Sequence, residues 1–154
     1  MKAFWIDSQM PIPINELQHH GVSFQHLPTN ESDYLPQLKE IMALNGYYAM
    51  DQVILNESTP NFEDICKKFI DEHLHTDDEV RFVLNGSGVF EIRSLQDQWM
   101  KIIVEEGDFI SVPANRFHRF YLTDENTICC MRLFKDKSGW VPLYRKNLES
   151  STSR

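Results

Sequence analysis

Between residues 80 and 134 the chain is almost entirely short strand-forming runs broken by turn signals at intervals of about eight to twelve residues. The runs are Val80–Leu84, Val89–Arg93, Trp99–Val104, Phe109–Val112, His118–Leu122 and Ile128–Phe134. Asn85-Gly86-Ser87-Gly88, Leu95-Gln96-Asp97, Glu105-Glu106-Gly107 and Thr123-Asp124-Glu125-Asn126 punctuate them. Six or more short antiparallel strands predict a β-barrel or jelly roll. The half before them is mixed. Phe4-Trp5-Ile6, Val22-Ser23-Phe24-Gln25 and Asp51–Leu55 read as strands, and residues 33–45 read as a helix that stops at Asn45-Gly46. A second helix is expected from Thr59 as cap and Pro60 as first residue. Its apolar stripe is Phe62, Ile65, Cys66, Phe69 and Ile70. The fold class is therefore mainly β with a few helices, these lying in the N-terminal half.

The second helix runs into Asp71-Glu72-His73-Leu74-His75-Thr76-Asp77-Asp78-Glu79-Val80-Arg81. In an extended chain alternate side chains share a face, so His73 and His75 point the same way. Glu79 and Arg81 keep that parity if the strand resumes after Thr76-Asp77-Asp78. Two imidazoles and a carboxylate suit Fe(II) with coordination positions left open. His118, five residues after Pro113, is a fourth candidate ligand.

A length of 154 residues predicts one domain over residues 1–148, with a flexible tail at 149–154. The net charge of −8 argues against nucleic acid as partner, because phosphate contacts need clustered Lys and Arg. No apolar run is long enough to cross a membrane, and Asp7 interrupts any leader-like start. Three cysteines, two of them adjacent, make no disulfide framework and suit a reducing cytosol, so a cytoplasmic protein is expected. No sustained apolar surface stripe is evident, and a monomer is expected. His19, His20 and His26 read as exposed or loosely packed, Cys66, Cys129 and Cys130 as packing residues, and Arg116 and Arg119 as rim charges. Asp77 and Asp78 read as solvated turn residues, either of which can orient an imidazole.

The spacing of His73, His75, Glu79 and Gly86, followed by Gly107, Pro113 and His118, resembles the two motifs of the cupin superfamily. The first motif's leading glycine is missing, and Asn115 and Leu122 stand where the second motif has glycine and asparagine. A longer run is similar to one cupin family, the acireductone dioxygenases. It comprises Asp71 to Arg81, Asn85-Gly86-Ser87-Gly88-Val89-Phe90-Glu91-Ile92-Arg93, Asp97-Gln98-Trp99, Gly107-Asp108, Pro113-Ala114, His118-Arg119-Phe120, Met131-Arg132-Leu133-Phe134 and Trp140-Val141-Pro142. That resemblance implies a cupin-type β-barrel holding one divalent metal per chain, Fe(II) or Ni(II), on His73, His75, Glu79 and His118. It implies acireductone (1,2-dihydroxy-3-keto-5-methylthiopentene) and O2 as substrates, in methionine salvage. With Fe(II) the family forms 4-methylthio-2-oxobutanoate and formate; with Ni(II) it forms 3-methylthiopropanoate, formate and CO.

Arg81, two residues beyond Glu79, can hold an enediolate or sit in a structural ion pair, for instance with Asp78. Arg132 lies in an apolar strand and needs a partner or a polar cavity, with substrate as the other candidate. Phe69 and Phe120 are candidate walls of a methylthio pocket or ordinary core aromatics. The same ligand set also suits another cupin oxygenase or isomerase acting on a small enediol or keto acid, or a non-catalytic metal-binding cupin.

Overall fold

In the computed structural model, which describes residues 2–136 and 140–152, one long strand pairs with four others. The elements in order are β1 (Lys2–Trp5), α1 (Ile14–His19), β2 (Ser23–His26), α2 (Glu31–Asn45), β3 (Ala49–Asn56), α3 (Phe62–Ile70) and β4 (His73–Leu74). They continue as β5 (Glu79–Arg93), β6 (Trp99–Glu105), β7 (Asp108–Val112), β8 (His118–Leu122), β9 (Thr127–Phe134), β10 (Leu143–Tyr144) and α4 (Arg145–Thr152). Every pairing is antiparallel. The first part of β5 pairs with β7 and β9, giving the order β3-β9-β5-β7-β2. Its last part pairs with β6 and β8, giving β1-β6-β5-β8-β4-β10.

Asn85-Gly86-Ser87-Gly88 is therefore not a turn between two strands, as the sequence suggested. It is a bend inside β5, at which the strand leaves one sheet and enters the other. The register shifts between Val83 and Asn85, and Gly86 takes φ 79°. Only glycine adopts that conformation without strain, and a Cβ there would overlap the Thr127 carbonyl. The glycines re-aim the chain without reversing it because both flanking segments find strand partners.

Inward residues of both sheets form the core. Phe90, Ile92, Met100, Ile102, Ile110 and Val112 make the larger cluster. A second cluster holds α2 against the other sheet through Tyr34, Leu38, Phe82 and Leu133. Gly46, in the left-handed region, ends α2 as expected, but the helix starts at Glu31, so Pro36 lies beyond its first turn.

Helix α3 begins later than the sequence suggested. Asn61 precedes it in the left-handed region, while Thr59 Oγ1 closes a turn by accepting the Asn56 amide at 3.0 Å. Phe62, Ile65 and Cys66 pack on the barrel, whereas Ile70 stays 52% exposed. The short α1, unforeseen in the sequence, buries Leu17 and brings His20 into the interior. His20 is not exposed, as its polar neighbourhood suggested. Its Nδ1 accepts the Leu95 amide at 3.2 Å, Trp5 meets its ring edge-on at 5.5 Å, and burial holds its pKa below the ordinary value. Helix α4 runs through Thr152, and Arg145 bonds Glu149 one turn on at 2.8 Å. Ser153 and Arg154 lie outside the described residues.

Candidate metal centre

Strand β4 is two residues long and is held on both sides. His73 pairs with His118 of β8 across one edge and with Tyr144 of β10 across the other. Directly opposed residues of an antiparallel pair bring their side chains together. The His73 and His118 rings accordingly lie 4.6 Å apart between centroids. His75, two residues on, reaches the same space, with ring separations of 5.0 Å to His73 and 5.3 Å to His118. The three histidines are buried and offer nitrogens that all lie within 4.8 Å of one another. Glu79 opens β5 beside them, its Oε1 3.4 Å from His75 Nε2 and its Oε2 3.5 Å from His118 Nε2.

Backbone carbonyls orient two of the rings. His73 Nδ1 donates to the Asp71 carbonyl at 2.6 Å and His118 Nδ1 to the Arg116 carbonyl at 3.0 Å. A neutral imidazole that donates through Nδ1 keeps its lone pair on Nε2, the atom a cation takes. His118 Nε2 and His75 Nδ1 are buried and have no hydrogen-bond partner among the described residues. Orphaned buried polar atoms are costly, and an ion held beside Glu79 is one way to satisfy His118 Nε2.

Charge states follow from the surroundings. Burial, together with the neighbouring His118, lowers the His73 pKa to about 4. For Glu79, burial pushes the pKa up, but the Arg81 charge and the His118 and His75 nitrogens outweigh it and hold it well below the carboxylate range. Neutral His73 and ionised Glu79 at neutral pH are the states that metal ligation needs.

Neither Asp77 nor Asp78 orients an imidazole among the described hydrogen bonds, and Asp78 is not a free turn residue. Its carboxylate accepts the Tyr47 hydroxyl at 2.6 Å and the Ala114 amide at 2.9 Å. The Asn115 amide also donates to the His75 carbonyl at 2.8 Å. The loop carrying His75 is thus tied to the loop that leads to His118. Sequence reading missed Tyr47 in this role, since nothing local connects it to a position 31 residues away.

A cavity of about 260 Å³ opens beside His73, with Glu79, Arg81 and Arg132 also in its lining. Arg81 and Arg132 are register partners of β5 and β9. Arg81 contacts Glu79 Oε1 at 3.4 Å rather than pairing with Asp78, and it donates to the Val80 carbonyl at 2.9 Å. Arg132 has its partner in Asp51, with two bonds of 2.7 Å, and its guanidinium lies 4.3 Å from the centre of the Trp140 ring. Phe69 and Phe120 meet edge to face at 6.0 Å and line the apolar side with Phe90 and Ile128. Cys130 also lines it, but burial pushes its thiol up to about 12, so it stays protonated and a poor nucleophile.

A cupin-type antiparallel barrel that presents three buried histidines and a carboxylate beside a cavity defines the metal-site class of cupins. The ARD/ARD' family model matches residues 7–142, and the chain belongs to that family. It is 43% identical over 145 residues to acireductone dioxygenase of Heterostelium pallidum, covering 94% of this chain and 98% of the relative. It is 36% identical over 140 residues to the Homo sapiens acireductone dioxygenase, covering 90% and 78%. Its structure is similar to that of acireductone dioxygenase from Bacillus anthracis, with TM-score 0.86 and 30% identity over 93% of this chain and 97% of that one. The Bacillus anthracis protein carries a cadmium ion in its active centre.

Proposed function

We propose that this chain is a metal-dependent dioxygenase that cleaves acireductone with O2. The observation that carries the proposal is the convergence of His73, His75, His118 and Glu79, with unsatisfied buried nitrogens, beside a cavity that also holds Arg81. In this reading these four side chains hold one divalent ion per chain. An ion held there would supply Lewis acidity that favours the deprotonated enediol.

The chain's own residues do the rest. Arg81 keeps Glu79 ionised and offers its guanidinium to the enediolate. Arg132, braced by Asp51, adds a second positive group on the cavity wall. Phe69 and Phe120 take the methylthio tail, for which sulfur–aromatic contact is favourable. The enediolate is electron-rich and reduces O2 itself. Both oxygen atoms enter the products, so no external reductant is needed. We further propose 4-methylthio-2-oxobutanoate and formate as products with Fe(II), and 3-methylthiopropanoate, formate and CO with Ni(II).

A cytosolic monomer, with residues 1–148 as one domain, fits this reading. Cys66, Cys129 and Cys130 are free thiols, and no described helix is long and apolar enough to cross a membrane. Product analysis tests the reaction. Fe(II)-loaded and Ni(II)-loaded protein should give the two product sets, each faster than the metal-free protein. Equal rates with and without metal would overturn it.

A further inference from the structure

The β5–β8 ladder carries the aromatic wall of the cavity, and one of its buried positions has no side chain. Gly88 lies opposite Leu122 while Phe90 lies opposite Phe120, so residue 120 stands diagonally beside Gly88. The Phe120 ring fills the space that a Cβ at 88 would need. That atom would lie 2.5 Å from Phe120 Cε2, 2.6 Å from Phe120 Cζ and 3.2 Å from Ile128 Cδ1. Unlike Gly86, Gly88 is not in the left-handed region, so its backbone does not demand glycine. The demand comes from the ring.

That ring has few places to go. Phe90 packs against it at 4.9 Å between centroids, Phe69 meets its edge, and Ile128 flanks the missing Cβ. Phe69, Phe90, Phe120 and Ile128 all border the cavity, whereas Gly88 does not. A methyl group at 88 would have to move the ring by roughly an ångström to restore ordinary contact, and the open space is the cavity itself.

We propose that Gly88 sets the depth of the cavity, and so the length of apolar tail a metal-chelating substrate can carry, by letting the Phe120 ring lie back on β5. The proposal rests on the reading of the site as one that chelates a small enediol or oxo compound with a short unbranched tail. Gly88 is a positioning residue: it touches no substrate and acts through Phe120.

The test is a calorimetric affinity series on nickel-loaded protein with pyruvate, 2-oxobutanoate, 2-oxopentanoate and 2-oxohexanoate, which share one chelating end and differ only in tail. In the wild type, affinity should rise along the series. In Gly88→Ala it should fall about tenfold for the longest acid and stay within about twofold for pyruvate. In a Phe120→Leu background, adding Gly88→Ala should leave the series unchanged, because no ring remains to be displaced. If Gly88→Ala alone does not fold, the comparison of Phe120→Leu with the double variant decides: coincident series support the proposal, and a renewed loss at long tails overturns it. A parallel loss at every tail length in Gly88→Ala would mark a merely structural effect and overturn it. A flat wild-type series would contradict the proposal alone, and no binding of any acid would contradict the chelating-site reading as well.

Discussion

Arg81 is where metal binding and turnover separate. It coordinates nothing in the proposed site, yet it stands 3.4 Å from Glu79 and faces the cavity. At neutral pH, Arg81→Ala should still bind metal, because the His118 and His75 nitrogens also hold Glu79 ionised, while kcat/KM falls by about ten- to a hundredfold, the worth of a hydrogen bond to a charged group. Steady-state kinetics beside metal analysis checks this; an unchanged kcat/KM would remove Arg81 from the substrate's contacts. His20 carries a pH prediction. Its folded pKa lies below the ordinary 6.5, so below that pH the unfolded chain binds the proton more readily. Stability should therefore drop as pH falls from 6.5 towards the folded value, in the same direction as the contribution of His73. His20→Asn, which retains an acceptor for Leu95, should flatten that slope in denaturant titrations. The clustering of His73, His75 and Glu79 could be read from the sequence because spacing along extended chain fixes which face they share. The bracing of the site could not. Asp51 and Arg132 are 81 positions apart, and only the β3–β9 register brings them together.

Among the elements, β5 carries the most. Its bend depends on Gly86, where both a positive φ and the nearby Thr127 carbonyl exclude a Cβ. Gly86→Ala should lower the unfolding free energy by about 3 kcal/mol or more, measured by denaturant unfolding. A cost under about 1 kcal/mol would mean that the bend tolerates an ordinary residue. The sequence reads as a turn signal between two strand runs here because Asn-Gly is punctuation at short range. Whether a glycine reverses a strand or bends it depends on which strands lie alongside, and that is long-range information. The C-terminal segment is the second case. Tyr144 pairs with His73, the Arg145 amide donates to the Glu72 carbonyl, and the Arg145 guanidinium bonds Glu72 and Asp97. This segment buttresses the short strand that carries His73. Burial pushes Glu72 up, but Arg93 and Arg145 outweigh it and hold its carboxyl below the ordinary value. Arg145→Ala should lower the melting temperature by a few degrees, about 1 kcal/mol for a partly exposed network, and the difference should shrink in high salt.

For the molecule as a whole, a barrel folded around β5 brings three histidines from β4, β8 and the loop between β4 and β5 against Glu79, the centre at which the proposed function places the oxidation. The strand runs made the barrel class legible, and the spacing of His73, His75, Glu79 and His118 pointed to the cluster that the fold assembles. The crossing of β5 between sheets and the lacing of the loops through Asp78 were not, because both depend on partners distant in sequence. The most direct test follows O2 consumption and formate release by Fe(II)-loaded protein supplied with acireductone, beside His118→Ala prepared in the same way and assayed for metal. The account predicts that one iron per wild-type chain sustains both signals together, and that the variant loses iron and both signals. Wild-type iron content and undiminished formate release in the variant would contradict it.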